Sequence, residues 1–111
     1  MHRGEVWRVR LPFTGGHAQA GLRPAVVIQH DRHTAVLPTV LVVPFTSSLK
    51  TQAFPGTVLV QPDGQNGLTV PSVALGFQLR VIDQRDAVQC LGALAPAALA
   101  QVLTAVDALI R

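Results

Sequence analysis

Two short runs, residues 24–28 (Pro-Ala-Val-Val-Ile) and 40–43 (Val-Leu-Val-Val), are almost wholly apolar and rich in β-branched side chains. Such side chains fit a pleated surface and lose rotamer freedom in a helix, so each run reads as a buried strand. Polar residues gather at one end of each. Gly21-Leu22-Arg23-Pro24 opens the first run, and Pro44-Phe45-Thr46-Ser47-Ser48 closes the second. If the two strands pair as neighbours, a guanidinium and a hydroxyl come together on rigid strand ends, an arrangement suited to holding a phosphate.

A purely structural account stays open beside it: Gly and Pro punctuate strands, and Thr and Ser cap the loop that follows. The surroundings favour a ligand. The loop before Arg23 offers backbone amides, His17 and Gln19, and Thr46 is followed by Ser47, Ser48 and Lys50. Phe13 and Phe54 fall in the two flanking loops. There an aromatic face either anchors its loop on the core or stacks on a base, at about 1–3 kcal/mol per base.

The remaining chain surrounds these runs with more short strands. Residues 5–11 alternate, placing Trp7, Val9 and Leu11 on one face and Arg8 and Arg10 on the other. Pro12 ends that strand, and a loop with three glycines leads to Gly21. The second strand is expected from Pro24 to Gln29, the third over 39–45, and shorter ones over 57–60, 73–75, 78–82 and 88–91. Residues 62–67 (Pro-Asp-Gly-Gln-Asn-Gly) are turn chemistry. From Leu99 the period changes: Val102, Leu103, Val106, Leu109 and Ile110 recur at helical spacing, with Pro96 suited to a first helical turn. The pattern predicts one domain over residues 1–111, a small barrel of short strands with a C-terminal helix.

Hydrophobic residues make up 49% of the 111 and charged ones 14%, with a mean hydropathy of +0.37. That is apolar for a small monomer and points to a homo-oligomer. No apolar run is long enough to cross a bilayer, and residues 1–5 enter the first strand without the apolar segment of a signal peptide. Cys90 is the only cysteine, so a reducing cytoplasm is the natural setting, and a lone thiol in an apolar stretch reads as core. The net charge of +3 is unevenly spread: residues 1–50 carry six basic groups against two acids, the remainder three against four. A basic half suits a polyanion partner, although a charge of this size alone serves solubility equally well.

Other constellations carry less. His30-Asp31-Arg32-His33 offers two imidazoles and one carboxylate in a connection, short of the matched ligands a metal site needs, and reads as solvated. Asp83 and Asp86 flank Arg85 and read as turn-stabilising. No HExxH, GxSxG or Gly-Lys-Ser phosphate loop occurs, which argues against metal-dependent hydrolysis and a serine triad.

At the residues already singled out, the chain resembles the MazF/PemK family of toxin endoribonucleases. The similarity begins with Arg3-Gly4-Glu5-Val6-Trp7 and continues through residues 19–27 (Gln-Ala-Gly-Leu-Arg-Pro-Ala-Val-Val) and 42–47 (Val-Val-Pro-Phe-Thr-Ser). It returns at Pro55-Gly56, at residues 72–75, at residues 78–83 (Gln-Leu-Arg-Val-Ile-Asp) and at residues 91–94. The resemblance implies an SH3-like barrel with a C-terminal helix, shared with the gyrase poison CcdB. It also implies a cytoplasmic homodimer, and metal-independent cleavage of single-stranded RNA at short sequence motifs, restrained by a cognate antitoxin.

The family's catalytic arginine and threonine carry over onto Arg23 and Thr46. The expected RNA contacts are Gln19, Gly21, Ser47, Ser48, Lys50, Phe13, Phe54, Gln78 and Arg80, with no metal or cofactor. Two departures stand out: Ala18 and Phe77 occupy positions where relatives commonly hold an acid. His17, beside the first vacancy, is the candidate for the missing proton transfer, its alternative being an exposed loop histidine. Two other readings remain: a catalytically silent RNA- or antitoxin-binding relative, and a CcdB-like gyrase poison.

Overall fold

A computed structural model describes residues 1–12, 16 and 18–111; Phe13 and His17 lie outside the described residues. Its strands are β1 (Glu5–Leu11), β2 (Gly21–Val27), β3 (Thr39–Thr46), β4 (Thr57–Val60), β5 (Ser72–Leu75), β6 (Arg80–Asp83) and β7 (Ala87–Ala93). Helix α1 (Asp31–Thr34) is a single turn, and α2 (Pro96–Ile110) closes the chain. The strands pair antiparallel in the order β4-β5-β3-β2-β1-β7, with β6 also on β3. The result is a mainly β, barrel-like domain with a C-terminal helix.

β3 is the hub. It pairs with β2 through Val42 to Pro44, with β6 through Thr39 to Val42, and with β5 at Phe45 and Thr46. Between the Phe45–Ala74 and Val42–Arg80 pairs, the β5–β6 side advances six residues while β3 advances three. The surplus is the 3₁₀ turn Gly76–Gln78. This bends one continuous line of pairing and lets β4 and β5 swing away from β1 and β2.

Alternation along the central strands serves two apolar clusters. Val26, Val43 and Phe45 join Val6, Ala74 and the α2 residues Val102 and Val106. Ala25, Val27, Val40 and Val42 join Val9, Leu11 and Ile82, with Trp7 at the margin. Both faces of β2 and β3 are therefore covered, which explains their unbroken apolar runs. Pro96 begins α2 as expected, with Ala95 before it and no side-chain cap.

The boundaries differ in instructive places. β2 begins at Gly21 rather than Pro24, because its ladder with β1 starts at the Leu11–Gly21 pair. Pro24 has no N–H to donate, and it sits just before the β3 ladder begins at Ala25. The polar connection after Gln29 contains the α1 turn, capped by the His30 side chain accepting from the Arg32 amide at 3.2 Å. β6 starts at Arg80 rather than Gln78, since Gly76–Gln78 is taken by the 3₁₀ turn. Asp83 caps the turn Gln84–Asp86 through the Arg85 amide, as its spacing implied.

Cys90 overturns an expectation. It is exposed: among the described residues neither apolar cluster includes it, and β7 lies at the end of the strand order. No described helix is long and apolar enough to cross a membrane.

Candidate active site

Arg23 sits in the N-terminal half of β2, paired with Val9 of β1. Gly21, two residues earlier, has φ +82°, a left-handed conformation that brings the chain into the strand. The Arg23 side chain is exposed, and its Nε donates to the Ala20 carbonyl at 3.1 Å. Thr46 is the last residue of β3 and is 9% exposed. Its Oγ1 accepts the Ser48 amide at 3.2 Å. The β2–β3 ladder ends at the Ala25–Pro44 pair, and the same register carried two residues on sets Arg23 opposite Thr46. There β3 has turned to β5, pairing Thr46 with Val73, so the two strands part and leave a space.

That space is a pocket of about 290 Å³, and both residues line it. Ser47 stands beside Thr46, and Arg8 of β1 supplies a second guanidinium, its Nη1 also donating to Gln89 Oε1 at 2.8 Å. Phe45, Leu68 and Leu91 provide apolar surface; Leu22, Pro24, Gly67, Thr69, Val70 and Ser72 complete the lining. Among the described lining residues there is no carboxylate and no imidazole. Two fixed cations with hydroxyl donors and no opposing acid make a site for an anion, and a phosphodiester fits that chemistry.

Residues 67–70 build one wall, and hydrogen bonds within residues 61–68 hold the segment. Asp63 Oδ1 accepts the amides of Gln65 and Asn66, each at 2.9 Å. The buried Asn66 side chain donates to the Gln61 carbonyl at 2.9 Å and accepts from the Leu68 amide at 3.0 Å. The segment is pinned to β7 by the Ala93 amide donating to Gln65 at 3.0 Å. At Gly67, with φ +74°, a Cβ would lie 2.3 Å from the Leu91 carbonyl oxygen, so only glycine allows this approach.

The expected contact residues separate into groups. Arg23, Thr46 and Ser47 share the pocket. Ser48 is joined to it through the Thr46 hydroxyl, and its carbonyl accepts from Thr51 at the start of the 3₁₀ turn Leu49–Ala53. Lys50 is exposed on that turn. Gln19, Gln78 and Arg80 form a cluster of their own, outside the pocket lining: the Gln19 amide donates to Gln78 Oε1 at 2.8 Å, and Arg80 donates to the Gln19 carbonyl.

Phe54 is exposed and meets Phe77 edge to face, with ring centroids 5.6 Å apart. Phe77 thus fills its position with aromatic surface. His30 and His33 stand at α1, away from the pocket lining. Arg8, Thr69 and Val70 are lining residues that sequence patterning did not single out.

Two other hollows lack this chemistry. One of about 650 Å³ between β4 and α2 is lined by Thr57, Val58, Leu59, Ala100, Gln101, Thr104 and Ala105, with no charged side chain. The other, of about 430 Å³, lies beside Arg3 and Asp107, where an acid opposes the cation.

Among the carboxylates away from the pocket, Asp31 and Asp83 are held below the usual range. Asp31 accepts the Arg3 amide at 2.7 Å and faces His2 Nδ1 at 3.4 Å, and these bonds lower its pKa. Asp83 is lowered by the Arg85 amide and guanidinium. Asp86 lies 3.6 Å from Arg10, an exposed pair that offsets part of the N-terminal positive charge.

Comparison with known proteins identifies the family. The family of PemK-like, MazF-like toxins of type II toxin-antitoxin systems matches residues 2–110. Endoribonuclease MazF of Staphylococcus saprophyticus is 31% identical over 107 residues, covering 96% of this chain and 88% of the relative. Endoribonuclease MazF9 of Mycobacterium tuberculosis is 34% identical, covering 92% and 89%. The crystal structure of MazF from Deinococcus radiodurans superposes with a TM-score of 0.83 at 26% identity, covering 99% of this chain and 96% of its own. The chain belongs to the PemK-like, MazF-like toxin family.

Proposed function

We propose that this toxin endoribonuclease binds single-stranded RNA with the scissile phosphate between Arg23 and Thr46, and cuts it by attack of the neighbouring ribose 2′-OH. The observation that carries the reading is the shared pocket: a guanidinium and a hydroxyl donor face one space that no carboxylate enters. As the 2′-oxygen bonds to phosphorus and the 5′-oxygen departs, charge accumulates on the equatorial phosphoryl oxygens. Arg23 and Thr46 are donors already in place for that charge, the form of catalysis that needs no reorganisation. The products are a 2′,3′-cyclic phosphate and a 5′-OH.

Arginine stays protonated throughout the working pH range, so Arg23 stabilises charge rather than accepting the 2′-OH proton. The leaving 5′-oxygen takes a proton and the 2′-OH gives one up, and His17 is our candidate for this exchange. A pH–rate profile checks it: His17→Ala should lose rate between pH 5.5 and 8, and an unchanged profile removes the assignment.

The same reading includes a cytoplasmic homodimer and a cognate antitoxin that covers Arg8 and Arg23 with an acidic segment. Incubating the protein with a long single-stranded RNA in EDTA tests the whole. Discrete fragments ending in cyclic phosphate support the ribonuclease. Intact RNA with retained binding makes the protein a silent relative. Single-stranded DNA of the same sequence, lacking the 2′-OH, should survive. Stoichiometric antitoxin should suppress cleavage, and undiminished cleavage counts against its covering the site.

A further inference from the structure

Gln78 and Arg80 both engage one residue of the loop that feeds β2. Arg80 Nη1 donates to the Gln19 carbonyl at 2.5 Å, and its Nη2 donates to the Pro12 carbonyl at 3.3 Å. Gln78 Oε1 accepts the Gln19 amide at 2.8 Å. Both main-chain polar groups of Gln19 are therefore fixed from the β6 side. The next carbonyl, that of Ala20, accepts Arg23 Nε at 3.1 Å. A continuous series of hydrogen bonds runs from β6 through the backbone at residues 19–20 to the Arg23 guanidinium.

Arg23 is exposed on a long side chain with several rotatable bonds, so a free guanidinium would sample many positions. Its bond to Ala20 narrows them, and that bond is only as well placed as the carbonyl. Arg80 is half-buried, and two of its nitrogens already donate to carbonyls. The planar fork of arginine serves two acceptors at once, which an ammonium does not do equally well.

We propose that Arg80, assisted by Gln78, is a positioning residue: by holding the backbone at residues 19–20 it sets where the Arg23 guanidinium stands, without itself touching RNA. This rests on the reading of Arg23 as the group that stabilises the cleavage transition state. The loop between Pro12 and Gln19 thus has its second end fastened beside the catalytic arginine, and disturbing that fastening slows chemistry while leaving RNA capture intact.

The test compares wild type, Arg23→Ala, Arg80→Ala, Arg80→Lys and the double variant, all cleaving one long single-stranded RNA transcript. Arg80→Ala should lower kcat about tenfold and leave KM within about twofold. In the Arg23→Ala background, adding Arg80→Ala should change the residual rate less than about twofold, since the strut has lost the group it positions. Arg80→Lys should behave like Arg80→Ala.

A direct signature accompanies the kinetics. The Arg23 Nε–H proton, followed by ¹⁵N NMR, should exchange severalfold faster in Arg80→Ala. Should that variant not fold, Gln78→Met removes the acceptor of the Gln19 amide and should show the same exchange change. A rise in KM with kcat intact, additive losses in the double variant, or full rescue by lysine would make Arg80 an RNA contact and overturn the proposal. A slow Arg23→Ala beside an unimpaired Arg80→Ala removes the strut alone. Wild-type cleavage by Arg23→Ala removes the assignment of Arg23 and the strut together.

Discussion

The Thr46 hydroxyl oxygen accepts the Ser48 amide at 3.2 Å, which orients the side chain and leaves its proton available to the pocket. A hydroxyl can accept and donate together, so the bond that fixes Thr46 does not consume the donor. Thr46→Val keeps the β-branched shape and removes the donor. Cleavage should fall by about 10²–10³-fold, the loss typical of a donor at a developing oxyanion. The Ser48 amide loses its acceptor, a cost of about 1 kcal/mol that thermal unfolding should register as a small drop in Tm.

Arg8 faces the pocket from β1 and is exposed enough to meet an RNA backbone phosphate. Arg8→Gln should weaken RNA binding while sparing the chemical step. Each phosphate contact to a single strand contributes about 0.7 to the slope of log K against log salt concentration, so the slope should flatten by about that amount. Titrations at several salt concentrations decide it, and an unchanged slope sets Arg8 apart from the RNA path.

Gly67 is the tight point of the pocket wall. Alanine there would meet the Leu91 carbonyl at 2.3 Å with φ at +74°. Gly67→Ala should cost at least about 1–3 kcal/mol, the range for a non-glycine residue held in that backbone region. Denaturant unfolding measures the loss. Cleavage per folded molecule should fall too, because the wall at Leu68 and Thr69 must shift to relieve the clash.

Asp31 ties the chain before β1 to α1 through the Arg3 amide and His2. Its pKa is lowered in the folded protein, first by the Arg3 amide. A carboxylate with a depressed folded pKa stabilises fully above its unfolded value and loses that contribution as pH falls through the folded value. The stability difference between wild type and Asp31→Asn should therefore persist at neutral pH and shrink below about pH 4, the ordinary aspartate range. Parallel urea melts at pH 7 and pH 2.5 check the sign, and an equal difference at both would remove the role given to the carboxylate.

Sequence patterning singled out Arg23 and Thr46 by identity and place near strand ends, which are local properties; the structure brings both to one pocket. Alternation likewise found Trp7, Val9 and Leu11 on one face, and helical periodicity found α2. Arg8 was visible only as a polar-face residue; its arrival at the pocket depends on the Arg8–Pro24 pairing, which no local pattern encodes. Thr69 and Val70 reach the site because residues 61–70 fold against β7, a contact made by glycine clearances and not by hydrophobic period. Cys90 was misplaced for a related reason: burial depends on what packs over a strand's face, and neither apolar cluster includes Cys90. Gln78 and Arg80 carried the right polarity for RNA, yet their partners are backbone carbonyls and an amide of a loop far away in sequence.

The pairing of β3 with β2, β5 and β6 bears on when the protein becomes dangerous to the cell that makes it. Arg8, Arg23 and Thr46 leave the ribosome early, but the pocket also needs Gly67, Ser72 and Leu91, and the strut needs Arg80. A nascent chain carrying only its first half holds the chemical groups without the enclosure that aims them. On the proposed site assignment, cutting ability should therefore arrive near the end of synthesis, when the distant strands close on β3, sparing the ribosome a nuclease growing from its own exit tunnel.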